Sequence, residues 1–153
     1  MEGRFNQTQA EDQTTASYRG QIRQWVPNDL LAIADIVMLH YENSEWKKIP
    51  EIEVTKEDVV KWVIQKMVDP TYTVFVKTNH SGELDACIGV NLTDNTHPPH
   101  PRMIIDWCMW GNENRDLAEL WKACKQWGKG RGAIMAQRGT VTPHYQIVRT
   151  ERI

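Results

Sequence analysis

One acidic side chain interrupts an apolar stretch of the chain. Asp106 lies within "IIDWCMW", residues 104–110. A carboxylate in such surroundings can accept a proton and act as a general base. The alternative, which the alternation of a strand favours, is that Asp106 faces solvent on the polar side. Cys108 has no histidine or acid placed by the sequence to lower its pKa, so we expect a buried structural thiol rather than a nucleophile.

Two histidines suggest a metal site, but the pattern is incomplete. His97 and His100 flank two prolines in "HPPH". A zinc site needs three or four protein ligands, and the sequence places no further ligand beside these two. We therefore predict a plain hairpin loop and no metal.

The segment "WGNENRDLAELWKACKQWG", from Trp110 to Gly128, has the outline of a strand that turns into a helix. A helix start attracts phosphate through its unpaired N–H groups and the positive end of its dipole. This turn contains no glycine, and Asp116 and Glu119 lie in or beside the first helical turn. Either acid within about 5 Å of a phosphate would cost on the order of 1–3 kcal/mol at an effective dielectric of about 20 to 60. We therefore expect a strand-to-helix junction that does not bind phosphate.

Charge is distributed unevenly along the chain. The 153 residues carry a formal net charge of −2, which does not indicate nucleic acid or an anionic membrane as a partner. From Arg115 onward, however, eight Lys and Arg residues stand against three Asp and Glu residues, which leaves +5. This surface is either simply solvated, which we favour, or contacts an acidic partner or DNA. The residues proposed for a nucleic-acid contact are Lys122, Lys125, Lys129, Arg131 and Arg138.

Cysteine usage and hydropathy indicate the compartment. Cys87, Cys108 and Cys124 are widely spaced and form no paired framework, so we expect reduced thiols in a cytosolic setting. No apolar run approaches the roughly 20 residues of a membrane helix, and no signal peptide is recognisable. We predict a soluble protein that is not secreted and has no membrane partner.

The chain divides into an arm and one domain. Residues 1–19 are polar, rich in Gln and Thr, and without periodicity, which is typical of an extended arm. We expect this arm to contact a neighbouring chain, either another protein or a second copy. Residues 20–153 are expected to form a single domain.

Periodicity predicts an α+β domain with the element order β-α-α-β-β-β-α-β-β. The signals include a capping pattern at Thr55-x-x-Asp58 and a helix stop at Asp69-Pro70. Asp29 is the expected N-cap of the first helix. Predicted helices lie at about 29–42, 55–69 and 115–128, where Gly128, Gly130 and Gly132 should end the third. Predicted strands lie at about 21–26, 72–77, 84–93, 103–110, 133–138 and 144–150.

This order resembles the GCN5-related N-acetyltransferase (GNAT) fold. "IRQWVPNDLLAIADI" is similar to the opening strand and first helix of that family. "YTVFVKTNHSGELDACIGVNL" is similar to its second and third strands, and "CKQWGKGRGAI" to the passage from its third helix into its fifth strand. The resemblance covers about residues 20–138. It implies a mixed, mostly antiparallel central sheet with flanking helices, and an ancestry among enzymes that transfer an acyl group from acetyl-CoA to an amine.

The resemblance also implies roles for particular residues. In the family, the arginine matching Arg115 precedes a glycine-rich segment that cradles the coenzyme A pyrophosphate, whereas here Arg115 runs directly into "DLAELW". Arg115 is the cofactor contact that remains, and Asp106 is the candidate base. The family's fourth helix, which can carry a tyrosine acid, has no room here, so the domain is expected to be truncated at its C-terminal end. Tyr145 is a candidate substitute acid, although packing is the expected role.

Two functions follow from this comparison. The sequence favours a non-catalytic GNAT-fold structural or interaction subunit that needs no cofactor. In this it is similar to small virion and accessory proteins of bacteriophages, which would place it in the host cytoplasm or the virion. The alternative is a divergent N-acetyltransferase that uses acetyl-CoA, with Asp106 as its base.

Overall fold

The computed structural model describes residues 20–94, 102–141 and 143–153. Within these residues the elements follow the predicted order, and the α+β prediction is confirmed. The arm at 1–19 and the histidines of "HPPH" lie outside the described residues. The helices are α1 (Leu30–Glu42), α2 (Lys56–Val68) and α3 (Asn114–Gly130). The strands are β1 (Gln21–Gln24), β2 (Tyr72–Thr78), β3 (Leu84–Thr93), β4 (Met103–Gly111), β5 (Met135–Val141) and β6 (Gln146–Arg152).

The six strands form one sheet in chain order, from β1 at one edge to β6 at the other. Neighbouring strands are antiparallel except for β4 and β5, which run parallel. A parallel pair needs a crossover connection, and α3 supplies it. The mixed, mostly antiparallel sheet that the resemblance implied is therefore present.

Helices cover both faces of the sheet because the strands alternate their apolar side chains. On β3, Ile88 packs into a core cluster with Leu120 and Cys124 of α3. Its neighbour Cys87 packs on the other side with Ile33 of α1 and residues of α2. Successive strand residues point to opposite faces, so a single apolar strand can serve two cores.

The first two helices begin differently. At α2 the predicted capping box is present, since Thr55 Oγ1 accepts a hydrogen bond from the Asp58 N–H at 3.1 Å and Asp58 accepts one from the Thr55 N–H. At α1, Asp29 occupies the predicted N-cap position, but its side chain makes no capping hydrogen bond to the helix. Its carboxylate instead accepts from both terminal nitrogens of Arg23, at 2.7 and 3.1 Å, and from the Val26 N–H. Asp29 thus fastens β1 to the turn before α1.

Of the three glycines predicted to end the third helix, Gly128 lies within it, since α3 continues to Gly130. A Cβ atom at position 128 would lie 2.5 Å from Ile104 Cγ2. The glycine therefore allows α3 to pack closely against β4. The chain turns after the helix at Gly132, whose φ of +87° lies in the left-handed region that glycine tolerates.

Two further observations concern the whole domain. Cys87, Cys108 and Cys124 are free and buried, in agreement with the prediction of structural thiols. Among the helices of the described residues, none is long and apolar enough to cross a membrane.

Candidate functional site

The sheet opens between its two parallel strands. β4 and β5 pair over only three residues each, Met103–Ile105 with Met135–Gln137, although both strands continue further. The paired residues lie at the N-terminal ends of the strands, so the opening faces their C-terminal ends. We call this opening the β4–β5 cleft, with its vertex at Asp106, directly after the last paired residue.

An irregularity in β4 adjoins the vertex. Gly89 of β3 is opposite Cys108, and the next residue, Val90, is opposite Asp106, so Trp107 is the extra residue of a β-bulge. The Trp107 ring lies 5.2 Å from the Trp62 ring and 5.9 Å from the Trp25 ring, measured between centroids. The bulge interrupts the alternation of inward and outward side chains along β4, from which a solvent-facing Asp106 was predicted.

Asp106 lies at the vertex and does not face open solvent. Its half-buried carboxylate accepts a hydrogen bond from the Gly139 N–H of β5 at 3.1 Å. Burial raises the pKa of Asp106 to about 6, although the Gly139 hydrogen bond and the positive charge of Arg138 oppose that shift. A carboxyl group with such a pKa is ionised at neutral pH and is well matched to proton transfer there.

The start of α3 lies at the open end of this cleft, because α3 follows β4 directly. Glu113 precedes the helix in an extended conformation, and its carbonyl accepts from the N–H groups of Asp116 and Leu117. The N–H groups of Asn114 and Arg115 therefore precede the first intrahelical hydrogen bonds. The Arg115 side chain is 84 % exposed, and its Nε lies 3.6 Å from Glu119 Oε1.

The acids of the first helical turn are bound to a lysine of the sheet. Lys77 Nζ of β2 lies 2.6 Å from Asp116 Oδ1 and 3.4 Å from Glu119 Oε2. The side chains of Lys77 and Asp116 are 15 % and 13 % exposed. The hydrogen bond to Asp116 raises the pKa of Lys77. The expected repulsion of phosphate did not include this lysine, whose single positive charge balances one of the two acids.

A cavity of about 700 Å³ adjoins the start of α3 on the side of β1 and β2. Lys77 and the acids just described contribute to its wall, and Asp106 does not. The lining residues are Gly20, Ile22, Lys77, Glu113, Arg115, Asp116 and Glu119.

The remaining candidates lie elsewhere. Tyr145 precedes β6 and is 59 % exposed. Cys108 is buried and faces Cys87, and this contact together with burial raises the pKa of its thiol well above the usual range. That shift disfavours a nucleophilic thiolate. No cluster of three or more potential metal ligands occurs among the residues that the structure describes.

The predicted basic surface is partly engaged within the chain. Lys125 Nζ lies 3.1 Å from Glu151 Oε1. The guanidinium of Arg131 lies over the Trp127 ring at 4.5 Å, and that of Arg138 over the Trp121 ring at 5.7 Å. Lys122 and Lys129 are exposed on α3.

Sequence reasoning missed three features of this region. Lys77 reads as one polar residue in an alternating strand, and nothing local connects it with Asp116, 39 positions later. Gly139 reads as a turn residue rather than as a donor to Asp106. The bulge at Trp107 leaves no trace in "IIDWCMW", because a bulge is defined by the register of two strands.

Comparison with solved structures identifies the fold. The aminoglycoside N-acetyltransferase AAC(6')-Iy in complex with CoA superposes with a TM-score of 0.65 at 9 % identity, over 82 % of this chain and 78 % of that one. A Clostridium acetobutylicum protein described as a predicted acetyltransferase, with acetyl-CoA, gives 0.61 at 10 % identity, over 82 % of each chain. A possible acetyltransferase from Clostridium difficile 630 gives 0.61 at 16 % identity, over 81 % and 80 %.

These likenesses establish a GNAT acetyltransferase fold for this chain. No protein-family model matches the sequence, and no curated protein matches it. Since a fold can host many functions, what the domain does must be argued from its own residues.

Proposed function

We propose that this protein is a divergent N-acyltransferase that binds an acyl-CoA thioester in the β4–β5 cleft, with Asp106 as the general base. The observation that carries the proposal is the half-buried Asp106 carboxylate at the vertex, with a pKa of about 6. This is the function that we weighed as the alternative from the sequence.

The residues of this region suit the extended part of an acyl-CoA donor better than they suit its phosphates. An extended chain can enter the cleft, because the β4–β5 ladder ends after three pairs. At the mouth of the cleft, the N–H groups of Asn114 and Arg115 and the exposed guanidinium of Arg115 are suited to a phosphate. Glu113, Asp116 and Glu119 contribute three negative charges there, which the two positive charges of Arg115 and Lys77 offset only in part. We therefore expect binding that depends mainly on the extended part of the donor.

The proposed chemistry uses few groups of this chain. Acyl-CoA would supply the thioester, whose carbonyl carbon forms a bond to the amine nitrogen of the acceptor as the C–S bond breaks and CoA leaves as a thiolate, which takes a proton from solvent. Asp106 would take the proton that the amine loses. Its carboxylate retains acceptor capacity beyond the Gly139 hydrogen bond, since an ionised carboxylate has about four lone-pair sites.

A kinetic experiment tests this proposal. Release of free CoA from acetyl-CoA is measured against a panel of amines, and acetyl-CoA binding is measured by calorimetry. We expect kcat/KM to rise with pH through about 6, because Asp106 must be ionised to accept the proton. Asp106→Asn should lower kcat by on the order of 10²-fold or more while acetyl-CoA still binds.

The matched control is Asp85→Asn, at a half-buried position on β3 outside the cleft. It should leave turnover unchanged. Absence of acetyl-CoA binding by the wild-type protein, or equal turnover by wild type and Asp106→Asn, would rule out the proposed enzyme.

A second candidate is the non-catalytic interaction subunit that the sequence favours. One observation supports it: the Asp106 carboxylate is already bonded to Gly139, so it bridges β4 and β5 where a ligand would enter. In that case acetyl-CoA would not bind, and Asp106 would serve only to join the two strands. Placement in a bacteriophage particle stays a prediction from the sequence, and isolation of the chain from purified virions would test it.

A further inference from the structure

The last strand of the sheet has an outer edge that no described residue pairs. β6 follows β5 at the end of the strand order, and all seven of its residues are exposed. Three large side chains with apolar surface are exposed near this edge: Tyr145 at 59 %, Ile147 at 57 % and Val148 at 38 %. An edge of this kind is a template for a further strand.

The pairing with β5 determines which backbone groups point outward. The Ile153 N–H donates to the Ile134 carbonyl at 2.9 Å, so position 153 bonds toward β5. Bonding direction alternates along an antiparallel ladder, so 151, 149 and 147 also bond toward β5. The N–H and C=O groups of Gln146, Val148, Thr150 and Arg152 therefore point away from the sheet.

Charge then distinguishes among the three symmetric antiparallel pairings of two β6 strands that are centred on residues 149, 150 and 151. In an antiparallel pair centred on Arg149 or on Glu151, two like charges lie directly opposite each other, which destabilises the pair. In the pair centred on Thr150, Arg149 lies opposite Glu151 of the partner subunit, and the two-fold axis repeats this ion pair. The outward groups of Thr150 and of Thr150 of the partner subunit then face each other as a hydrogen-bonded pair.

The side chains are also on the correct face for that ion pair. Glu151 faces α3, because its Oε1 accepts from Trp121 Nε1 at 2.8 Å and contacts Lys125 Nζ at 3.1 Å. Arg149 lies two positions away and so on the same face. Since both contacts of Glu151 use Oε1, its second oxygen is placed to accept from an arginine of another copy.

We infer that this protein forms a two-fold symmetric dimer in which the β6 strands of two copies pair antiparallel, centred on Thr150, to give a continuous twelve-stranded sheet. The occupant of the β6 edge is thus a second copy of the same chain, held by backbone hydrogen bonds and by two Arg149–Glu151 ion pairs. The inference is independent of whether the β4–β5 cleft binds a thioester.

Sedimentation velocity over a wide range of protein concentration tests the dimer. Thr150→Pro removes an outward N–H that β5 does not use, so the fold should persist while the dissociation constant of the dimer rises on the order of tenfold or more. Ile22→Pro is the matched control, because Ile22 N–H points outward from β1 at the opposite edge. It should leave the dimer unchanged. Arg149→Glu reverses one charge at an exposed position and should weaken the dimer without the backbone change of proline.

Cysteine cross-linking tests the register. Thr150→Cys should form an intermolecular disulfide under oxidising conditions, because opposite residues in a hydrogen-bonded pair have Cα atoms about 5.5 Å apart. Arg149→Cys should cross-link much less, and the native cysteines are buried. A wild-type protein that stays monomeric at every concentration overturns the inference. So does a dimer that neither Thr150→Pro nor Arg149→Glu weakens, or one in which Arg149→Cys cross-links better than Thr150→Cys.

Discussion

The vertex of the β4–β5 cleft and the start of α3 each contain a partly buried aspartate, and the two aspartates have opposite surroundings. Asp106 accepts a hydrogen bond from the Gly139 N–H and feels the positive charge of Arg138, but burial outweighs both and raises its pKa to about 6. Asp116 is bound at 2.6 Å by Lys77. The two residues lie ten positions apart in the chain, Asp106 within β4 and Asp116 in the first turn of α3. A half-buried carboxyl group of raised pKa is suited to proton transfer, whereas a carboxylate bound by a lysine is suited to holding a helix in place.

The largest expected effect comes from removing the cation of the paired aspartate. Lys77→Met leaves the Asp116 charge buried without a partner, and we expect the free energy of unfolding to fall by about 2–4 kcal/mol. Urea denaturation at pH 7 measures this change. The double variant Lys77→Met/Asp116→Leu removes both charges and should recover most of the loss. If the single variant were as stable as wild type, the description of Asp116 as a helix anchor would have to be abandoned.

A smaller effect of opposite sign is expected at the vertex. The folded-state pKa of Asp106 lies above its unfolded value, so ionisation of this group destabilises the folded protein as pH rises through about 4 to 6. Asp106→Asn keeps an acceptor for the Gly139 N–H and cannot ionise. We expect the variant to be up to about 3 kcal/mol more stable than wild type above pH 6, because the rise of the Asp106 pKa from 3.8 to about 6 corresponds to that free energy before solvent screening reduces it. The two proteins should be nearly equal in stability near pH 4.

Denaturation series at pH 4 and pH 7.5 measure that difference. Asp85→Asn serves again as the control and should show no such pH-dependent gain. A variant that is less stable than wild type at pH 7.5 would mean that the carboxylate charge stabilises the vertex, as it does at Asp116.

The smallest effect on stability is expected at the exposed end of the helix start. Arg115 is 84 % exposed and lies 3.6 Å from Glu119, so Arg115→Ala should change the free energy of unfolding by no more than about 0.5 kcal/mol. If the α3 start contacts the phosphates of a donor, the same variant should raise the dissociation constant of acetyl-CoA severalfold. Calorimetry on the variant and on Lys129→Ala, a charge-matched control at the other end of α3, separates the two effects.

Much of the fold was predictable because its signals are local. The switch from a period of 3.6 to a period of 2 after Asp69-Pro70 defined β2 and β3, and the bounds of β3 agree with the prediction. The capping box at Thr55 and Asp58 lies within four residues, and it too is present. The predicted role of Gly128 as a helix stop was wrong, because this glycine instead makes room for Ile104, which belongs to a strand.

The candidate site was less predictable. The sequence identified Asp106 and Asp116 as residues of interest. It favoured a solvent-facing position for Asp106 and predicted that Asp116 repels phosphate. Both assignments depend on partners far along the chain, Gly139 for Asp106 and Lys77 for Asp116.

The sequence by itself therefore determined the order of strands and helices, the apolar faces that bury the two cores, and the absence of glycine from the turn before α3. Each follows from the periodicity or the identity of neighbouring residues. Only the tertiary structure decided where the pairing of β4 and β5 ends, which residue of β4 forms the bulge, and which aspartate forms an ion pair with a lysine. These depend on strand register and on distances between elements, and electrostatic energies at distances of 3 to 4 Å change too steeply to be inferred from sequence spacing.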